Sequence, residues 1–313
     1  MTRALLGSPG DVDIRLLRVF RAVVECGGMA AAELELNVGR STISRQVKEL
    51  ESRLGLTLCH RGPGGFALTA EGQAVYDATL RLAGALDGFR TDVDALHRRL
   101  TGTLVLALFD KIVTNEAARL HEALATFHDA APDVAVEMHV AGINTIERGV
   151  LDGRFQVGIL PGHRPSAALD YLPLFDEHME LYAGRGHPLF RRRADDGDDE
   201  RIRRHDYAGL GFHSPNMEQS HAMRLRRRAT AYDQEAVAIL IRSGRYLGYL
   251  PDHYARGFVA QAWMRPIDNP RFRYDVTFAA IVRHAPKPSR MVQTYLDCLA
   301  EAHPRPPEAA PAR

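Results

Sequence analysis

The feature that most constrains this chain is a proline-free stretch, residues 69–100, whose apolar side chains recur every seven positions. Val75, Leu82, Phe89 and Leu96 make one row; Thr79, Leu86, Val93 and Leu100 make a second, each four residues after its partner. Such rows are the a/d seam of a coiled coil, and Glu71 in the first turn suits the helix dipole. Gly84 and Gly88 weaken the helix a little but fall off the seam. A stripe this narrow fits pairing with a second copy, while packing on its own chain is the plainer alternative. Either way, a long helix divides the sequence into a short front part and a long rear part.

The front part reads as short helices followed by a hairpin. Residues 29–36 form a short helix with Leu34 and Leu36 among its apolar positions, Asn37-Val38-Gly39 is a turn, and residues 40–54 form a second helix. In that helix Ile43, Val47, Leu50 and Leu54 share one inward face, leaving Ser41, Thr42, Ser44, Arg45, Gln46 and Lys48 on the others. A second helix carrying Ser, Thr, Arg and Gln near its start suits a DNA major groove. Arg reads guanine, Gln reads adenine, and hydroxyls reach bases or phosphates. Beyond it, residues 56–60, a Gly-Pro-Gly-Gly turn and residues 66–68 read as a wing, with Arg61 placed to touch the DNA backbone. The plain alternative is a helix pair whose polar face meets only water. The chain has 40 Lys+Arg against 39 Asp+Glu in 313 residues, so nucleic-acid binding must come from a local face and not from a basic coat.

After residue 101 the texture becomes α/β. Strand-like runs at 103–109, 134–140, 155–160, 179–183, 209–212, 246–250 and 276–282 alternate with helical stretches at 115–131, 146–151, 233–243 and 289–302. This pattern predicts mostly parallel sheets covered by helices, and two sheets suit the length better than one. Ligands in such folds sit at the carboxyl ends of strands, beside helix N-termini. Three junctions offer suitable groups: Asp110, Lys111, Thr114 and Asn115; Asn144 beside Thr145; and His213, Ser214 and Asn216. Together they suit a small effector, a carboxylate among the candidates, although each residue would serve equally as a helix cap. Lys111 stands out because lysine occurs only at 48, 111 and 287. The runs 191–204 and 224–228 read as solvated charge, the latter on a helix face.

Several classes are excluded or disfavoured. Cys26, Cys59 and Cys298 contain no C-x-x-C pair, which argues for reduced thiols in a cytoplasm and against a disulfide scaffold or a Cys-based zinc site. No apolar run approaches a membrane span, and the N-terminus lacks a signal-peptide core. His121-Glu122 opens a zincin-like motif that Ala125 fails to close, and P-loop and G-x-S-x-G motifs are absent. The expectation is a protein that is not an enzyme and carries no cofactor or metal. The alternatives are a DNA-free metabolite-binding protein, an enzyme built on the α/β part, or a passive DNA-organising protein.

Residues 13–20 (Asp-Ile-Arg-Leu-Leu-Arg-Val-Phe), residues 37–47 (Asn-Val-Gly-Arg-Ser-Thr-Ile-Ser-Arg-Gln-Val), Leu50-Glu51-x-x-Leu54-Gly55-x-x-Leu58 and Leu68-Thr69-x-x-Gly72 resemble the LysR-type transcriptional regulators. Residues 152–159 and 239–251 resemble the helix-Gly-strand steps of that family's two rear subdomains. The resemblance implies a multidomain chain. Residues 12–70 would be an N-terminal, all-α winged helix-turn-helix with residues 40–50 as recognition helix. Residues 71–101 would be a dimerising linker helix and hinge, and residues 102–303 an α/β effector-binding domain of two periplasmic-binding-protein-like subdomains. Residues 1–11 and the tail from His303 to Arg313 read as disordered ends. The implied partners are promoter DNA, a small-molecule effector, a second copy as dimer or tetramer, and RNA polymerase as a further candidate. Some positions depart from the family pattern. Gly39 stands where Ser is usual, Arg40 where Gln is usual, and Glu33 in place of a small residue. Cys59 and His60 replace the common Phe and Glu, and Gln156 replaces Asp. Arg40 could add a phosphate or guanine contact.

Overall fold

The computed structural model describes residues 9–62, 65–96, 100–162, 164–191 and 198–304. They divide into two compact units, with the division between Gly88 and Phe89.

The first unit opens with α1 (Asp11–Glu25), α2 (Ala32–Leu36) and α3 (Arg40–Leu54), continues through a hairpin of β1 (Cys59–Gly62) and β2 (Gly65–Leu68), and enters α4 (Ala70–Leu96). Leu16, Phe20 and Val23 from α1 meet Ile43, Val47 and Leu50 from α3 and Leu58 before the hairpin in one small core. Order begins earlier than the sequence suggests: Asp11 is already helical, because Asp13 Oδ2 accepts the Gly10 N–H at 2.9 Å and caps the turn. The buried Asp13 also pairs with Arg53 Nε at 2.6 Å, tying α1 to α3. The supporting helix is shorter than residues 29–36. Gly27 and Gly28 adopt positive φ, which delays its start, and Leu34 is 92% exposed instead of facing the core.

Thr69 anchors the start of α4: its Oγ1 accepts the Gly72 N–H at 2.8 Å and donates to Thr57 O at 2.7 Å. Gly72 permits this close approach, since a Cβ there would lie 1.9 Å from Leu58 O. Both heptad rows change character along the helix. Val75 packs on the small core and Thr79 is buried, whereas Phe89 and Val93 are 68% and 39% exposed. The front of the stripe is therefore spent within the chain, and Phe89 and Val93 are left to solvent. The Leu96 side chain lies outside the described residues, as do residues 1–8 and 305–313.

Among the described residues of the second unit, nine strands form one hydrogen-bonded sheet. The first half holds β3 (Gly102–Leu108), β4 (Val134–Val140) and β5 (Val157–Pro161), all parallel. The other half holds β7 (Asp206–Leu210), β8 (Arg226–Ala231) and β9 (Leu247–Pro251), also parallel. The sequence expectation of two separate sheets is corrected by β6 (Leu169–Gly184) and β11 (Arg273–Arg283). These two long strands pair antiparallel along their length and run through both halves. β11 pairs with β5 at one end, and β6 pairs with β9 and the short β10 (Met264–Pro266) at the other. Pro173 lies inside β6 where the register slips between Phe278 and Ala279, so a bulge accommodates its missing N–H. Fully buried β5 and β9 are apolar throughout, as strands covered on both faces must be.

The covering helices are α5 (Leu120–Ala130) and α11 (Arg290–Ala302), which pack on each other, then α6 (Ile143–Leu151), α7 (Asp199–Arg203), α8 (Pro215–Ala222), α9 (Gln234–Arg242) and α10 (Asp252–Ala260). Two short 3₁₀ turns, Ile112–Thr114 and Glu116–Ala118, follow β3, and the expected helix at 115–131 is shortened to α5 because Arg119 takes a left-handed backbone conformation between the second turn and the helix. The arginine run at 224–228 enters edge strand β8 and is not a helix face; Arg227 donates to Leu210 O at 3.0 Å. His303, assigned to a disordered end by sequence, is docked, its ring nitrogens 2.7 Å from Leu299 O and Ala118 O. Among the described residues, no helix is long and apolar enough to cross a membrane.

Candidate DNA-binding face and effector cleft

α3 begins and ends where its apolar spacing places it. With successive residues about 100° apart, burying Ile43, Val47 and Leu50 turns Ser41, Arg45 and Lys48 to the opposite side, where all three are exposed. Arg40 is exposed at the helix start, and Thr42 and Ser44 are half-buried on the flanks. Gln46 behaves differently: it flanks the inward row and its Oε1 is enclosed without a hydrogen-bond partner. It is thus the least available of the expected base readers. The hairpin behind α3 is antiparallel, with Arg61 opposite Phe66; the Arg61 side chain and residues 63–64 lie outside the described residues.

Two acidic residues that the sequence reading did not single out as functional shape this face. Glu51 Oε1 accepts the Leu58 N–H at 2.8 Å and holds the hairpin against α3. Glu33 Oε1, from α2, accepts the Arg40 N–H at the first turn of α3. Gly39, the residue in the N-cap position, has no side chain to do so. Local spacing carries no signal for the Glu33 contact, because it is made across the turn between two helices.

In the second unit, the carboxyl ends of β3 and β4 face the end of β8 and the start of α9. Phe109, Asp110, Lys111, Val140, Gly142 and Tyr232, with Asp233 and Glu235, line a cleft of about 360 Å³. Asp110 Oδ2 accepts the Gln234 N–H at 2.8 Å, while its Oδ1 is buried without a partner. Burial raises the Asp110 pKa against the lowering effect of that N–H. Lys111 Nζ reaches Glu235 Oε2 at 3.0 Å and lies over the Tyr254 ring. Burial opposes the Lys111 charge, but the Glu235 contact prevails and raises its pKa. Thr114 Oγ1 sits 2.8 Å from His253 Nδ1, and His253 Nε2 sits 3.0 Å from Glu177 Oε1. Burial raises the Glu177 pKa, opposed by the histidine contact. Asn115 donates to Asp176 O at 3.4 Å and caps the second 3₁₀ turn.

Of the first expected cluster, Asp110 and Lys111 line this cleft, whereas Thr114 and Asn115 bond instead to His253 and Asp176. Asn144 is exposed in the first turn of α6, whose N-cap, Gly142, lines the cleft. The third expected cluster does not line it. Ser214 is a buried N-cap of α8, accepting from Met217 N at 3.3 Å, and buried Asn216 accepts the Tyr207 hydroxyl at 2.9 Å. His213 pairs with Glu218 at 3.4 Å. The described residues hold no cluster of three metal-ligating side chains.

Comparison with known proteins matches both units. Residues 14–73 fit the bacterial regulatory helix-turn-helix model of the lysR family, and residues 97–304 fit the LysR substrate binding domain model. The HTH-type transcriptional activator BauR of Pseudomonas aeruginosa is 41% identical over 94% of this chain and 97% of its own length. Among solved structures, full-length CbnR complexed with target DNA shares the fold at a TM-score of 0.63, with 21% identity over 92% of this chain and 99% of that one. The OxyR C199D protein of P. aeruginosa does so at 0.62, with 17% identity over 97% and 100%. With both units matched in order and nearly the whole length aligned to a regulator, the chain belongs to the LysR family of DNA-binding transcriptional regulators and carries that family's effector-binding domain.

Proposed function

We propose that the protein works as a homodimer or dimer of dimers that reads an interrupted palindrome and switches when a small effector enters the cleft of the second unit. The observation that carries this reading is the exposed row of Ser41, Arg45 and Lys48 on a helix whose other side is buried. On this reading Arg40, Ser41, Thr42, Ser44, Arg45 and Lys48 contact DNA. Arg61 touches the backbone from the wing, and Gln46 reaches a base only if its enclosed amide turns outward. Two-fold symmetry of the protein requires matching half-sites. Phe89 and Val93 on α4, with Val136, Met138 and Val140 on edge strand β4, are apolar groups that a single chain exposes, as self-association would require.

Residues 12–70 serve as the DNA-binding domain, 71–101 as the linker helix and hinge, and 102–303 as the effector-binding domain. Asp110, Lys111, Thr114, Asn115 and Asn144 are the effector-facing set. Lining carboxylates Asp110, Asp233 and Glu235 outnumber Lys111. A carboxylate on the effector therefore belongs at the α6 N-terminus, and a donor belongs opposite Asp110. Binding that differs between the two arrangements of the halves shifts their equilibrium. The activator role of the P. aeruginosa relative supports activation as the direction of control, with RNA polymerase as the contact and the cytoplasm as the compartment on this reading.

The test is capture of sheared genomic DNA by the purified protein, followed by sequencing of the bound fragments. Enrichment at a few intergenic palindromes is expected. Uniform recovery that fades with salt would show phosphate-driven binding alone and overturn the reading.

A further inference from the structure

Two departures from the family pattern meet in space. Gly39 occupies the N-cap of α3 with an extended backbone, φ −66° and ψ 148°, and supplies no side-chain acceptor. A helix start leaves its first N–H groups without intrahelical partners, and Ser, Thr, Asp or Asn at the cap normally satisfies one of them. Here the acceptor comes from the preceding helix: Glu33 Oε1 takes the N–H of Arg40. The Gly39 carbonyl already accepts the N–H groups of Thr42 at 2.9 Å and Ile43 at 3.2 Å, so the helix begins cleanly at this residue. The negative carboxylate also lies at the positive end of the α3 dipole, which strengthens the contact.

We propose that Glu33 is a positioning residue for DNA recognition: at a helix start that Gly39 leaves without a side-chain cap, it takes the Arg40 N–H and fixes the first turn of α3, and with it Arg40 and Ser41, on the DNA face. The proposal rests on α3 being the recognition helix. It makes Glu33 and Gly39 a compensating pair instead of two independent variations. Space permits the reciprocal exchange, because a Cβ built on Gly39 meets nothing within 4 Å and its backbone angles suit any residue.

The pairing predicts non-additivity. Glu33→Ala in the full-length protein should weaken binding to a genomically captured promoter fragment by about five-fold, the equivalent of one lost cap, with a smaller effect on a scrambled duplex of equal length. Glu33→Gln, which keeps an acceptor oxygen, should bind nearly as the parent does. Gly39→Ser should restore Glu33→Ala while changing the parent little, so the double-mutant cycle shows coupling. Hydrogen exchange gives a readout without DNA: it should quicken at the Arg40 amide and through the first turn in Glu33→Ala, and slow again at the Ser41 and Thr42 amides when Gly39→Ser is added. Equal exchange in parent and Glu33→Ala, or losses that Gly39→Ser fails to repair, would overturn the proposal. Parent protein with no preference for the captured fragment would instead overturn the recognition-helix reading, while the exchange experiment would still decide the capping role.

Discussion

Thr114 Oγ1 lies 2.8 Å from His253 Nδ1, joining a 3₁₀ turn that follows β3 to the first turn of α10. The far side of the same ring faces Glu177, whose strand, β6, belongs to both halves. The two ring nitrogens of His253 bridge the Thr114 hydroxyl and the Glu177 carboxylate. A hydroxyl, an imidazole and a carboxylate thus form one chain from half to half, and the histidine and glutamate side chains are only 6% and 4% exposed.

Thr114→Val removes the outer link and leaves the buried pair intact. Its expected effect is a shift of about five-fold in the effector concentration giving half-maximal response, the equivalent of one hydrogen bond, with unchanged operator affinity in effector-free protein. His253→Ala strands Glu177 in the interior and should cost about 3–5 kcal/mol of stability in a denaturant melt. A normal dose response in Thr114→Val would place the coupling elsewhere.

Arg45 and Lys48 share the exposed side of α3 but should fail differently. Arg45→Ala should cost about 1–3 kcal/mol on the captured operator and relax preference at one base position, as loss of a bidentate base contact does. Lys48→Ala should weaken all duplexes alike and lower the salt slope of binding by about one ion. Fluorescence anisotropy titrations at several salt concentrations separate the two outcomes.

Phe89 is the most exposed residue of the heptad rows whose side chains are described. Placing a charge there with Phe89→Glu should weaken self-association at least tenfold, since burying one such ring is worth about 1.5–3 kcal/mol. Sedimentation velocity across a dilution series reads this directly, and an unchanged assembly would remove Phe89 from the interface.

The Arg53 guanidinium, with help from the Gly10 N–H, holds the Asp13 carboxyl below its ordinary value of 3.8. A depressed folded-state pKa means that the unfolded chain takes up the proton first. The stabilisation is therefore complete above that ordinary value and drains away as pH falls below it through the folded value. Thermal melts from pH 7 to pH 2 should show Asp13→Asn as less stable than the parent at neutral pH, with the difference narrowing in acid. A constant difference across the range would mean that Asp13 acts through packing and not through charge.

The parts legible in sequence were those governed by one local period. Helix α3 follows from Ile43, Val47, Leu50 and Leu54, and β5 and β9 from unbroken apolar runs. Strand β8 was hidden because its Arg-rich start presents an exposed edge, and only pairing with β7 makes it a strand. The first half of β6 was hidden by Pro173, which local rules read as a breaker and which the bulge accommodates. At the cleft, the residue types at the ends of β3 and the start of α6 were readable. Their partners His253, Glu177 and Glu235 were not, because contacts between residues 124 and 139 positions apart leave no local trace. Ser214, which lies off the cleft, shows the limit of arguing from helix starts: a residue suited to capping a helix can simply be capping it.

Because β11 pairs with β5 and α11 packs on α5, the half built from residues 102–161 is completed by residues 273–302. A chain emerging from the ribosome makes this half first and must leave its inner edge unpaired until the last strand and helix arrive. The half made later, around β7 and β9, has its neighbours at hand sooner. Trimming α11 would therefore unravel the earlier-translated half of this unit rather than the half beside it in sequence, and that earlier half is the one that would need sheltering during synthesis.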